Sequence, residues 1–331
     1  MKKILERWAN KLWYEDYYVA AWLSPLSFLY IDIVRFRRFL YRKGFLKSTK
    51  LTVPVVVVGN ITVGGTGKTP LVIFLAQQLQ QRGFKVGIVT RGYSGNNENW
   101  PLRVYKSTKA AHAGDEAVLI ASQTDCPVAA APLRVEAAQL LINKDACDII
   151  LTDDGLQHYA LQRDIEIVVI DGQRRFGNNY FLPCGPLREP QERIQEADFV
   201  IINGGKTQDD EISMTLAADS AVNLVTHERK SLSEFKMQNC HALAAIGNPQ
   251  RFFKMLATLG LKTENHTFPD HHRFRAKDIN FDDNNAVLMT EKDAVKCHEF
   301  SNAKHWAVPV TPQLPDSFLE QLLVLIKEKH G

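Results

Sequence analysis

The segment "GNITVGGTGKTP", residues 59 to 70, ends in the Gly-Lys-Thr of a phosphate-binding loop. Where such a loop joins a strand to a helix, its backbone N–H groups and the helix N-terminus hold phosphate oxygens. Lys68 then reaches the terminal phosphates and the Thr69 hydroxyl ligates magnesium. Gly64, Gly65 and Gly67 supply the tight turn, with Thr62, Val63 and Thr66 completing the loop. The generic G-x-x-x-x-G-K-[ST] pattern has a glycine where this chain has Thr62. A later "TDDG" offers Asp153 or Asp154 as the Walker B acid that holds magnesium. In "HAGDEAVLIA", Asp115 and Glu116 follow a glycine at an expected helix start. Successive helical residues diverge by about 100°, so the two acids serve different partners. A carboxylate in such a place can accept the proton of an acceptor hydroxyl in phosphoryl transfer. The guanine-reading N-K-x-D motif is absent, since "NKDA" and "TEKD" each break it, which favours ATP over GTP.

These residues need a frame that brings strand ends together. "VPVVVVGN" is a continuous β-branched run, as expected of a strand buried on both faces, and it leads directly into the glycine loop. "KTPLVIFLAQQLQQRG" reads as a helix stopped by Gly83, "FKVGIVTRGY" as the next strand, "APLRVEAAQLLINKD" as a helix, and "ACDIILTDDG" as a strand ending in two acids. Alternating strands and helices predict a parallel sheet with right-handed crossovers and ligands at the strand C-terminal ends. A second α/β pattern follows in "IEIVVIDG", "ADFVIING", "HALAAIGNPQRFFKMLATLG" and "NAVLMTEKDAVK".

With 45% hydrophobic residues over 331 positions, the chain has material for two domains, and its formal net charge of +3 gives no reason to expect nucleic acid. The five scattered cysteines suggest neither a zinc knuckle nor a disulfide framework. The first fifty residues differ from the rest. An apolar, aromatic stretch from Tyr17 to Val34 precedes Arg35, Arg37, Arg38, Arg42, Lys43, Lys47 and Lys50. Pro25, two serines and Asp32 interrupt it, so it is a poor spanning helix. Rings beside a basic cluster suit a segment lying in the headgroup layer.

Taken together, "GNITVGGTGKTP", "TRGY", "HAGDEA", "DDGLQH", "LPCGPLREP", "FPDHHRF" and "TEKDAVK", in this order between Gly59 and Lys296, resemble the tetraacyldisaccharide 4'-kinase family, the lipid A 4'-kinases of Gram-negative bacteria. A threonine or serine at the position of Thr62 is normal for that family. The resemblance implies ATP and Mg2+, and transfer of the γ-phosphate to the 4'-hydroxyl of a tetraacyldisaccharide 1-phosphate, giving lipid IVA. The implied setting is peripheral, at the cytoplasmic face of the inner membrane, with the lipid substrate and the membrane surface as partners and no obligate protein partner. Carried over residue by residue, Lys68 and Thr69 match the P-loop pair, Asp115 the base, and Glu116 an acid associated with magnesium. Of His271 and His272, the former is favoured as support for the base. Asp153, Asp154, Gln157 and His158 match "DDGxQH", where the acids serve magnesium and the polar residues line the site. Arg134 and Arg188 are expected near phosphate or substrate, and Tyr93 near substrate.

The implied architecture is a P-loop NTPase-like parallel sheet over residues 51–163, joined by the last helix within 311–331. A second α/β/α domain over 164–310 is reached through a two-stranded linker, and residues 1–50 form a membrane-associating segment. Closure between the domains would bring the "DHH" loop and Arg188 toward the P-loop. A rival reading is a membrane-associated regulatory ATPase with the deviant K-G-G-x-G-K-T loop. The first lysine of that motif is Val63 here.

Overall fold

A computed structural model describes residues 9, 11–14, 21–93 and 95–330. Strand β1 (Val55–Gly59) is buried at every position, as its β-branched run predicts. Its alternating side chains divide between two faces. Val56 and Val58 join a core with Leu71, Leu75 and Leu79 of helix α2 (Lys68–Gln81). Val55 and Val57 join another with Ala137, Ala138 and Leu141 of helix α4 (Arg134–Asp145). Between α2 and α4 run β2 (Val86–Thr90), β3 (Leu102–Val104), helix α3 (Asp115–Gln123) and β4 (Val128–Ala130). After α4 come β5 (Ile149–Asp153), β6 (Ile165–Asp171), β7 (Phe199–Asn203) and β8 (Glu211–Ala217). With β15 (Thr311–Gln313) they form one nine-stranded sheet in the order β15-β8-β7-β6-β1-β5-β2-β4-β3. Its seven central strands are parallel, and only the two outermost strands, β3 and β15, run antiparallel to their neighbours.

The second sheet, in the order β10-β9-β14-β13-β11-β12, has six strands. These are β9 (Ser220–Asn223), β10 (Arg229–Ser231), β11 (Asn239–Ala244), β12 (Lys262–Thr267), β13 (Ala286–Thr290) and β14 (His305–Val308). Helix α5 (Pro249–Thr258) covers one of its faces through Phe252, Phe253 and Leu256. The pairing places β6, β7 and β8, within residues 165–217, in the first sheet, whereas the sequence pattern predicts them for the second unit. "IEIVVIDG" supplies a parallel strand buried at every position and "ADFVIING" one buried at all but Val200, and β6 hydrogen-bonds directly to β1. Passage to the second sheet occurs after β8 and return through β15, which pair antiparallel at Thr311↔Ala217. The last helix, α6 (Asp316–His330), sets Phe318, Leu322 and Ile326 into the same core as α2.

Of the apolar N-terminal stretch, Tyr17 to Ala20 lie outside the described residues. Pro25 sits in the first turn of helix α1 (Ser24–Arg42), where its missing N–H removes no helical bond. Only Ser27 and Ile31 of this helix are buried. Ser27 donates to the Phe181 carbonyl at 2.8 Å, and the Tyr30 hydroxyl donates to the Arg188 carbonyl at 3.1 Å. Leu26, Leu29, Ile33 and Phe36, at helical spacing, stay exposed on the outer side, with Phe28 and Phe39 beside them. Among the described residues no helix is long and apolar enough to cross a membrane.

Candidate functional site

The C-terminal end of β1 opens into the glycine loop, and β1–β5 register (Val58↔Asp153) sets the Walker acid beside it. Gly67 has φ 98°, and a Cβ there would lie 2.3 Å from Asn203 Nδ2. That amide donates to the Thr66 carbonyl at 2.9 Å, so glycine is required both by backbone and by space. Thr62 needs no such freedom. It forms an isolated antiparallel bridge to Leu187, and Val63 N donates to the Pro186 carbonyl at 2.8 Å. This explains the unusual loop: position 62 is a β-bridge residue, and the pairing carries Arg188 to the edge of the phosphate loop.

Loop residues 63–69, Arg188, Tyr93, Glu116, Asp153, Asp154 and His271 line one cleft of about 1290 Å³ between the two sheets. Thr69 Oγ1 donates to Asp153 Oδ2 at 3.0 Å, while Asp153 Oδ1 is buried with no partner among the described residues. Burial, aided by the charge of Glu116, pushes the Asp153 carboxyl up to about 7. A hard divalent cation beside Asp153 and Thr69 would satisfy that oxygen and reverse the shift, so the donor set fits Mg2+. Asp154, expected as a second metal ligand, meets cations from the protein instead. Lys68 Nζ lies 3.4 Å and Arg188 3.1 Å from its Oδ1. Although burial opposes ionisation, these charges hold Asp154 well below the usual carboxylate range.

Asp115 starts α3 and is 3% exposed, just behind the cleft wall formed by its neighbours Gly114 and Glu116. His271 Nδ1 lies 3.0 Å from its Oδ2 and 3.1 Å from its Oδ1. Burial alone would raise the Asp115 pKa, but the hydrogen bond to His271 and the charges of Lys292 and Lys296 bring it down to about 2. Burial likewise opposes the imidazolium of His271, and the bond to Asp115 outweighs it, raising the histidine. His271 adopts φ 57°, an uncommon conformation for a residue with a Cβ. The Tyr93 ring stands 5.0 Å from the imidazole. His272 turns elsewhere, bonding Asp278 at 3.2 Å and stacking on Phe268.

Glu116 diverges from Asp115 as helix geometry demands and meets Lys292 Nζ at 3.0 Å. Lys292 also lies 3.5 Å from Asp270 and from His271 Nε2, and burial is outweighed by Glu116, Asp270 and Asp115, so its pKa is raised. Lys296 Nζ is 3.8 Å from Asp115. Sequence reasoning gave neither lysine a role, although both lie in the quoted "TEKDAVK"; their relation to the 115–116 pair exists only across the cleft.

Three residues expected at substrate do not line the cleft. Arg134 is buried and donates to the Asp154 carbonyl at 2.7 Å, with burial lowering it to about 10. His158 accepts from the Arg134 backbone N–H at 3.3 Å, and burial, with Arg134 beside it, lowers its pKa to about 4. Gln157 donates to the Asn60 carbonyl at 2.9 Å. Arg134 thus satisfies a carbonyl of the turn after β5, Gln157 one of the loop after β1, and His158 the N–H at the start of α4, since buried backbone groups must be paired internally.

The second sheet also touches the phosphate loop directly. A Cβ on Gly247 would lie 2.2 Å from Gly65 N. Arg174 donates to the Gly247 carbonyl at 2.8 Å, and Asn248 Nδ2 to Asp171 at 2.9 Å, pinning that approach. Gly247→Ala is therefore expected to push the two loops apart and raise KM for ATP about five- to tenfold, roughly 1–1.4 kcal/mol, with a smaller effect on kcat. Initial rates across an ATP series check this; an unchanged KM would show the contact to be incidental.

The profile of the family described as tetraacyldisaccharide-1-P 4'-kinase matches residues 19–327. A tetraacyldisaccharide 4'-kinase from Ruthia magnifica subsp. Calyptogena magnifica is 50% identical over 300 residues, covering 91% of this chain and 95% of its own. One from Actinobacillus pleuropneumoniae serotype 5b is 47% identical over 97% of this chain and 99% of its own. A solved structure described as the "apo" form of LpxK from Aquifex aeolicus in complex with ATP superposes with a TM-score of 0.79 at 30% identity, covering 95% of this chain and all of that one. With a family match over nearly its whole length and relatives at this identity, the chain belongs to the tetraacyldisaccharide-1-P 4'-kinase family.

Proposed function

We propose that this cleft transfers the γ-phosphate of ATP to the 4'-hydroxyl of a tetraacyldisaccharide 1-phosphate, giving the bisphosphorylated lipid IVA. The protein is a kinase of lipid A biosynthesis, and the observation that carries the site assignment is that His271, bonded to the buried Asp115, lines the same cleft as Lys68 and Thr69. Asp115 orients the acceptor hydroxyl and takes its proton as transfer proceeds, with His271 holding the carboxylate in place. A loose phosphoryl-transfer transition state asks for positioning and charge neutralisation more than for a strong base, which suits a carboxylate of low pKa. Lys68 and Arg188 sit where they would meet the charge of the transferring group, and Asp154 holds both in place. Thr69 and Asp153, with Glu116 nearby, would hold Mg2+, which when bound would supply positive charge to the phosphate oxygens. Tyr93 is placed to contact the sugar. Arg134, Gln157 and His158 act as braces.

The organisation we infer has a nucleotide-binding unit of residues 51–217 and 311–330 and a second unit of 218–310. The Asp115–His271 bond and the Lys109–Glu299 ion pair at 2.7 Å span the two units. Closing them around both substrates would exclude water that would otherwise consume ATP. The test of the function is transfer of radiolabelled γ-phosphate to the tetraacyldisaccharide 1-phosphate in detergent micelles. A bisphosphorylated lipid is expected; ATP consumption without lipid product would sink the assignment and favour a regulatory ATPase.

The exposed stripe Leu26, Leu29, Ile33 and Phe36 is suited to lie in the headgroup layer, at the cytoplasmic face of the inner membrane; Arg37 is held by the Gln157 carbonyl, and Arg38 and Arg42 by Glu196, so the apolar side chains carry the contact. Inserting a Leu or Phe side chain stabilises by about 1.5–3 kcal/mol. Leu29→Asp with Phe36→Asp should therefore reduce co-sedimentation with phosphatidylglycerol vesicles by at least a hundredfold (about 2.7 kcal/mol). ATP affinity should be unchanged. Full vesicle binding by the double variant would place the contact surface elsewhere.

A further inference from the structure

Away from the cleft, at the edge of the second sheet, three side chains converge that the kinase chemistry does not use. On neighbouring parallel strands, His241 of β11 pairs with Glu264 of β12, and Leu243 with His266. Residues 264 and 266 share one face of β12, so one carboxylate and two imidazoles collect on the same side of the ribbon. His241 Nδ1 lies 3.0 Å from His266 Nε2 and 3.7 Å from Glu264 Oε2, and His266 Nε2 lies 3.8 Å from Glu264 Oε1. A tetrahedral ion with bonds of about 2.0–2.2 Å holds its donors about 3.3–3.6 Å apart, so the two ring nitrogens and the carboxylate group already stand near the corners of one coordination face.

The surroundings resemble those of a metal ligand set as well. His241 is 5% exposed, and its other nitrogen, Nε2, bonds Asp283 Oδ2 at 3.0 Å. A carboxylate on the far ring nitrogen fixes the tautomer that presents Nδ1 and makes it a better donor. Phe281 stacks on both imidazoles, with centroids 3.9 Å from His241 and 4.4 Å from His266, which fixes the ring planes. Glu264 stays open to solvent, leaving an entry path and room for a water on the remaining position.

We propose that His241, His266 and Glu264 bind a divalent transition ion of the zinc class, with Asp283 orienting His241. Two imidazoles and one carboxylate disfavour Mg2+ and Ca2+, which take oxygen donors, so this site and the phosphate-loop site select different ions. The ion would tie edge strand β12 to β11 by bonds other than backbone ones. β12 ends at Thr267, four residues before His271, so the clasp secures the strand from which the catalytic loop departs. Neither the geometry nor its test depends on the kinase assignment.

The test is Zn2+ titration of full-length, chelator-stripped protein in excess Mg2+, against a chromophoric competitor, with Co2+ as a spectroscopic probe. One site is expected, with the visible spectrum of four- or five-coordinate Co2+. Glu264→Gln and His266→Gln should each weaken it at least tenfold, and Asp283→Asn by about 10- to 100-fold. His271→Gln should leave it unchanged. Zn2+ should raise Tm by several degrees in the wild type and not in the Glu264→Gln/His266→Gln double variant. If the variants bind Zn2+ as the wild type does, if His271→Gln abolishes binding, or if Co2+ keeps its octahedral aqua spectrum, the site does not exist.

Discussion

Asp115→Asn should lower kcat by about a thousandfold, within the 10²–10⁴ that a positioned general base contributes, while KM for ATP changes little. The substitution preserves shape and removes only charge and basicity. Asp115 touches no part of the phosphate loop, so nucleotide binding is spared. Its partners do notice the change, because Lys296 and His271 both face that carboxylate. The pH dependence of stability has a definite sign. The Asp115 carboxyl, depressed to about 2, contributes stability that is present above its unfolded value of 3.8 and is lost as pH falls toward 2. His271 is raised above its unfolded 6.5, so its contribution is complete below that value and disappears as pH rises through the folded pKa. The Tm difference between wild type and His271→Gln should thus be larger at pH 6 than at alkaline pH. Measured kcat for Asp115→Asn within tenfold of wild type, in folded protein, would remove Asp115 from the reaction. A Tm difference growing with pH would contradict the ion-pair reading of His271.

Lys68→Ala should reduce kcat by about 10²–10³, the loss seen when one preorganised donor to developing charge is deleted, and should also weaken ATP binding. Lys68 begins α2, so its ammonium adds to the positive end of the helix and to the backbone N–H groups of the loop. Asp154 would retain Arg188 at 3.1 Å, and the pocket wall should stay in place. Lys68→Arg should restore little, because the planar guanidinium cannot replace a compact ammonium in a loop where Gly67 already touches Asn203. Single-turnover rates separate the chemical step from binding, and an unaltered melting temperature excludes unfolding as the cause. A variant that retains most of its single-turnover rate would mean that the phosphate charge is met chiefly by Arg188 and the metal.

Local sequence was enough for the phosphate-binding half. The β-branched run of β1, the glycine turn and the amphipathic α2 are contiguous, so the chemistry of Lys68 and Thr69 follows from backbone constraints that act within a dozen residues. The acids at 153–154 and 115–116 were legible as types at strand and helix ends, and the ordered motifs identified the family. Their division of labour was not. Asp154 differs from Asp153 because Arg188, 34 residues away, reaches one and not the other. Arg134, Gln157 and His158 read as substrate residues but turn inward, because buried backbone carbonyls and N–H groups must find partners and no local pattern reveals which side chain supplies them. Only the approach of the two sheets puts His271 and Lys296 on Asp115, 156 and 181 positions away in the chain, and Lys292 on Glu116. Periodicity reports which face of an element is apolar. Long-range parallel pairing and the return of β15 decide which faces meet, and the hydrogen bond and cations brought to Asp115 there, outweighing its burial, set the charge state the reaction uses.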